Sequence, residues 1–133
     1  MKAWSLAVAL SSVALALGCQ ARDSETATTP HIYQTRSSQG DISLRLTPRV
    51  STPGRLTIDV AADTHSGDLA EVNLRGAMAL RVNGQVYRPI EASSLAGHHA
   101  EGSVTFALPD VPDHFTITIA GVRNMDELRF EWP

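Results

Sequence analysis

Apolar and polar positions alternate through most of the chain beyond residue 40. Ile42, Leu44 and Leu46 repeat at every second residue, as do Leu56, Ile58 and Val60, then Met78, Leu80 and Val82. The same period returns in Val104, Phe106 and Leu108, in Phe115, Ile117 and Ile119, and in Leu128, Phe130 and Trp132. Successive side chains of a strand point to opposite faces, so this period predicts strands buried on one side and solvated on the other. A shorter run, Val72-Asn73-Leu74, extends the pattern weakly. No segment of this region repeats with a period of 3.6, although residues 67–74 leave room for one helical turn.

Turn residues punctuate these runs. Asn83-Gly84 stands between two alternating segments and predicts a two-residue type I′ hairpin, because both central positions need positive φ. That turn pairs Val82 with Gln85 and Leu80 with Tyr87, and Pro89 ends the second strand. Further breaks fall at Pro53-Gly54, Ser66-Gly67, Gly97, residues 109–113 and Gly121. About seven short strands with turns at this spacing predict an all-β fold, a small two-sheet sandwich of immunoglobulin-like arrangement, with an open barrel as the alternative. The Cys–Trp–Cys signature of antibody domains is absent, so the expectation concerns architecture alone. Phe130 and Trp132 share a parity on the last strand and are expected in the core.

The N-terminus follows a different pattern. Lys2 precedes an Ala/Leu/Val/Ser run over residues 3–17, which is the length of a signal peptide and short for a membrane span. Leu17-Gly18-Cys19 closes it, with the only cysteine of the chain. Small residues followed at once by cysteine resemble the lipobox of bacterial lipoproteins. The resemblance implies cleavage before Cys19, diacylation of its thiol and acylation of the new amine. Gln20 follows, where an aspartate would resemble the inner-membrane retention signal. The expected location is therefore the outer membrane, facing the periplasm, in a cell with two membranes. Residues 1–18 are read as signal peptide, 19–38 as lipidated cysteine and polar tether, and 39–133 as the sandwich. A flexible tether of ~10–20 residues spans roughly 17–25 Å, enough to clear the headgroups.

Composition narrows the options. One cysteine allows no disulfide within the chain, so the domain rests on its hydrophobic core. Of the 11 basic residues Lys2 is the sole lysine, and without it 10 arginines face 14 acids. The arginines stand singly between apolar residues, which argues against a phosphate-binding stripe and against nucleic acid as a partner. No Gly-x-Ser-x-Gly elbow or Gly-rich phosphate cradle is present, and acylation of Cys19 removes the only thiol nucleophile, so no catalysis is expected.

Two segments are unusual for a plain sandwich. Asp63-Thr64-His65-Ser66-Gly67-Asp68-Leu69 follows one strand, and Gly97-His98-His99-Ala100-Glu101-Gly102 precedes the strand expected from Ser103. On these residues the chain resembles a family of small exported bacterial proteins with an Asp-Thr-His-Ser segment, a later Gly-Gly-His-His loop and an aromatic C-terminal strand. Here Ala96 replaces the first of those glycines. The resemblance implies a domain type and no reaction. Imidazole suits copper or zinc, and a carboxylate can complete the shell, so His65, His98, His99 and Asp63 form a candidate metal set. The competing expectation is structural: Asp63 caps a turn by accepting backbone N–H bonds, and the histidines join a hydrogen-bond network. Calcium fits poorly, since His65 and Gly67 stand where oxygen ligands belong. The expected function is a membrane-anchored binding or envelope-assembly module, with an envelope protein as partner. The alternative is a periplasmic copper- or zinc-binding protein. His65 is expected near His98 or His99 in either case.

Overall fold

The computed structural model describes residues 31–122 and 124–133; the expected signal peptide, Cys19 and the tether as far as Pro30 lie outside the described residues. Strands run in chain order as β1 (His31–Ile32), β2 (Arg36–Ser38), β3 (Ile42–Thr52), β4 (Arg55–Thr64) and β5 (Met78–Val82). They continue as β6 (Gln85–Tyr87), β7 (Glu91–Ala92), β8 (His99–Ala107), β9 (Phe115–Ile119) and β10 (Leu128–Trp132). One antiparallel sheet has the order β1-β3-β4-β8-β7, with β2 also on β3, and the other has the order β10-β9-β5-β6.

This is the expected all-β, two-sheet sandwich. The succession β3-β4-β8-β7 against β10-β9-β5-β6 is the A-B-E-D and G-F-C-C′ order of immunoglobulin-like domains, with β1 and β2 added at one edge. Two separate sheets exclude the open barrel. Alternation drives the packing. In β4, Leu56, Ile58, Val60, Ala62 and Thr64 are all buried, while the residues between them face outward. Leu46, Leu80, Phe106 and Ile117 meet them from both sheets with no exposed surface, each contributing roughly 1.5–3 kcal/mol. Phe130 and Trp132 are buried, as their parity predicts.

The Asn83-Gly84 hairpin forms as expected. Both residues have positive φ, 50° and 81°, and the register pairs Leu80 with Tyr87 and Val82 with Gln85. The Val72-Asn73-Leu74 run is no strand. A 3-10 turn, Leu69–Glu71, precedes it, and Leu74 opens α1 (Leu74–Ala77), with Asn73 accepting the Gly76 N–H. Val72 and Leu74 are buried from these turns.

Two boundaries differ from the sequence reading. The sheet starts at His31, so residues 31–38 belong to the sandwich and not to the tether. Tertiary contacts hold them: the Tyr33 ring packs edge-on against Phe115 at 5.0 Å. Its hydroxyl donates to the Pro112 carbonyl at 2.7 Å, and Trp132 Nε1 donates to the Gln34 carbonyl at 2.6 Å. Arg36 Nε reaches the Glu131 carbonyl at 3.1 Å, which ties β2 to the edge of the other sheet. Strand β8 likewise begins at His99, ahead of Ser103, because its pairing with β4 continues through Ala100 to Asp63. Gly102 interrupts the hydrophobic alternation there and concealed the strand from the pattern.

The register also orients the molecule. His31 pairs with Val50, next to the Pro53-Gly54 turn, the Asn83-Gly84 tip and the 109–114 loop. The two histidine loops lie at the other end, where Ile42 pairs with Thr64. The length of β3 between Ile42 and Val50 separates the two ends by roughly 25 Å.

Candidate functional site: the two histidine loops

Thr64 organises this end. It occupies the last inward position of β4 and is buried, with its hydroxyl 2.6 Å from the Ser66 carbonyl and 3.2 Å from the Asp41 carbonyl. The same oxygen accepts the Ser66 N–H at 3.2 Å, which turns the chain away from the sheet. The backbone N–H of Thr64 donates to the His98 carbonyl at 2.8 Å, and the Leu69 N–H donates to the Gly97 carbonyl at 2.9 Å. The first loop is thereby laid directly against the second.

Asp68 completes the junction. Its Oδ1 accepts the N–H of Ala70 and the N–H of Gly97, both at 2.8 Å. The two backbone donors, with His98 nearby, hold its carboxyl below the usual aspartate value despite a small opposing cost of burial. The turn-capping carboxylate is therefore Asp68, and the expectation that Asp63 fills this role is corrected. Asp63 is on the outer face of the first sheet, where its carboxylate is hydrogen-bonded to His99 Nδ1 across the β4–β8 ladder.

The four proposed ligands divide accordingly. Asp63 and His99 touch. His98 meets the first loop through its carbonyl, and His65 meets Asp41 through its backbone N–H at 3.4 Å. Among the described residues no hydrogen bond joins His65 to His98 or His99, and no group of three or more His, Cys, Asp and Glu side chains is placed to hold a metal ion. Consecutive residues entering a strand project to different sides, and that separates His98 from His99. The loops meet through backbone hydrogen bonds.

No family model, curated protein or solved structure matches this chain. What this end of the domain can do must be read from its own geometry.

Ser43, Asp63 and His99 do not form a Ser-His-Asp relay. Ser43, Asp63 and His99 lie in one cross-strand row over β3, β4 and β8. The acid stands between the serine and the imidazole, and adjacent strands are ~4.8 Å apart, so His99 cannot take a proton from Ser43. With Nδ1 bound to Asp63, His99 offers Nε2 to solvent from a side chain that is 82% exposed. That end thus presents an oriented exposed imidazole, two neighbouring histidines and a hollow of about 210 Å³ between Asp41, Ser66, Asp68 and Glu71. The roles of Thr64 and Asp68 were legible in part: Thr64 continues the inward parity of Leu56 to Ala62, but nothing in the spacing points Asp68 at Gly97.

Proposed function

We propose that the chain is a lipid-anchored, non-catalytic binding module of the bacterial cell envelope, tethered through acylated Cys19. The reading rests on the Leu17-Gly18-Cys19 sequence and is supported by one structural relation: His31 pairs with Val50, so the chain enters the sandwich at the end opposite the histidine loops. A tether from Cys19 to Pro30 then holds the domain at the membrane with the Asp63–His99 surface facing away from it. Two or three acyl chains, at ~0.8 kcal/mol per buried methylene, hold such a protein durably.

The test is metabolic labelling with a radioactive or alkynyl fatty acid, followed by fractionation. Label is expected in the wild-type protein and absent from Cys19→Ser, which should leave the membrane fraction. Labelling that survives in Cys19→Ser would sink the anchor.

A further inference from the structure

Among the described residues, the large hydrophobic side chains left exposed are Ile32, Val86, Ile90 and Val111. Single exposed apolar residues are ordinary, so the information lies in their placement. All four stand at the end where the chain enters. Ile32 is on edge strand β1, opposite Arg49, and Ile90 donates its N–H to the Thr105 carbonyl beside β7, at the other edge of the same sheet. Arg49, Thr57 and Thr105 share one cross-strand row, which these two residues bracket. Val86 pairs with Arg81 on edge strand β6, next to the Asn83-Gly84 tip. Val111 is in the loop that crosses from the first sheet to the second.

That loop is braced on both sides of Val111. The Leu108 N–H donates to the Gly54 carbonyl at 2.9 Å, and the Pro112 carbonyl accepts from the Tyr33 hydroxyl at 2.7 Å. Pro109 and Pro112 restrict the backbone between those points, so a half-exposed Val111 is held outward. Charge at this end is mixed. Arg55 and Glu91 lie 3.6 Å apart, and Arg81 stands opposite Val86, against Asp110 and Asp113 in the loop. Neither sign dominates, so contact with a surface here is apolar in origin. Apolar side chains left open on edge strands are a hazard for a sandwich unless something covers them.

We propose, in an inference that rests on the lipid-anchor reading, that this end docks on the bilayer to which the chain is tethered. Ile32, Val86 and Val111 enter the boundary between headgroups and acyl chains. The position of the anchor argues for lipid as the cover: a coil of residues 19–30 reaches only roughly 17–21 Å from Cys19. Tethering over such a distance gives an effective concentration in the millimolar range, so a few side chains hold the domain down where they would not recruit a free protein. Contacts at both edges and in the loop between them keep the sandwich upright, with the histidine loops turned away from the membrane.

The experiment places an environment-sensitive thiol fluorophore on Val86→Cys, Val111→Cys or Ser66→Cys of the acylated full chain. The proteins are held in phosphatidylcholine vesicles with or without bromine on the acyl chains. Ser66 stands in the first histidine loop. Probes at 86 and 111 are expected to lose about half of their emission or more to bromine, consistent with the ~5–10 Å depth of interfacial apolar groups, and the probe at 66 none. A vesicle-bound protein with unquenched probes at 86 and 111 would overturn the docking and leave the anchor standing. Shielding of those probes only in native envelope membranes would do the same, assigning the face to a protein. Equal quenching at 66 and 111 would also overturn it. Failure of the anchor reads differently: the unsubstituted chain would take the thiol label at Cys19 and leave the vesicles, and the docking would fall with it.

Discussion

Asp68 and Gly97, 29 residues apart in sequence, are joined by a single hydrogen bond of 2.8 Å from the Gly97 N–H to the Asp68 carboxylate. The same oxygen caps the turn at Ala70, so one exposed side chain both starts a turn and locks two loops together. Part of the hold between the two loops therefore rests on the ionised form of one acid, beside the Thr64–His98 and Leu69–Gly97 backbone bonds.

Asp68→Ala should lower Tm and raise amide exchange in residues 65–70 and 96–98, while Asp68→Asn, which keeps an acceptor, should lose less. The pH dependence has a definite sign. The folded-state value lies below the ordinary 3.8, so the stabilisation is present above that value and is lost as pH falls through the depressed one. The difference in Tm between wild type and Asp68→Asn should shrink in that acid window, and a constant difference would contradict the role of the charge.

Gly102 and Gly84 fail for different reasons when substituted. A Cβ on Gly102 would lie 2.7 Å from Ser93 Cβ and 3.2 Å from a Leu95 methyl, in a segment pinned by Ser103 N–H to Ser93 Oγ at 2.9 Å. Gly102→Ala should destabilise by about 1–3 kcal/mol through overpacking, measured by urea denaturation. Ser93→Gly should recover part of that loss in the double variant, since it removes the atom nearest the new methyl.

At Gly84 nothing lies within 4 Å of an added Cβ, but φ is +81°. Gly84→Val should cost on the order of 1–3 kcal/mol from backbone strain alone. No neighbouring substitution should rescue it, and thermal denaturation of paired variants separates the two mechanisms.

Trp132→Phe removes the donor to the Gln34 carbonyl and leaves most of the stacking on Phe115, whose ring centre is 4.9 Å away. Loss of a partly buried hydrogen bond of this kind costs roughly 0.5–1.5 kcal/mol. Amide exchange should rise first in residues 31–38, which this bond fastens to the second sheet; uniform acceleration across the sandwich would argue against a local latch.

The Asp63–His99 pair should contribute little to stability. With the imidazole 82% exposed and the carboxylate side chain 45% exposed, a double-mutant cycle over Asp63→Ala and His99→Ala should give a coupling below about 1 kcal/mol. Those variants can therefore probe recognition at this end without unfolding the domain.

The period of two in residues 42–132 pointed by itself to an all-β fold and to the inward residues of β3, β4, β5, β8, β9 and β10, while the pairing into two separate sheets and strands β1, β2 and β7 came from the tertiary structure. The reason is physical: a side-chain alternation of this kind can be buried only on one face of a sheet. Asn83-Gly84 determined its hairpin equally well, because a two-residue turn with two positive φ angles admits few other residues. Only the tertiary structure decided the rest. Residues 31–38 carry no such period and are ordered by Tyr33, Gln34 and Arg36 reaching Pro112, Trp132 and Glu131 far along the chain. Asp63, His65, His98 and His99 look alike as potential ligands in one dimension. The β4–β8 register turns Asp63 and His99 onto the outer face together, and a register between distant strands is set by the packing of the whole inner face.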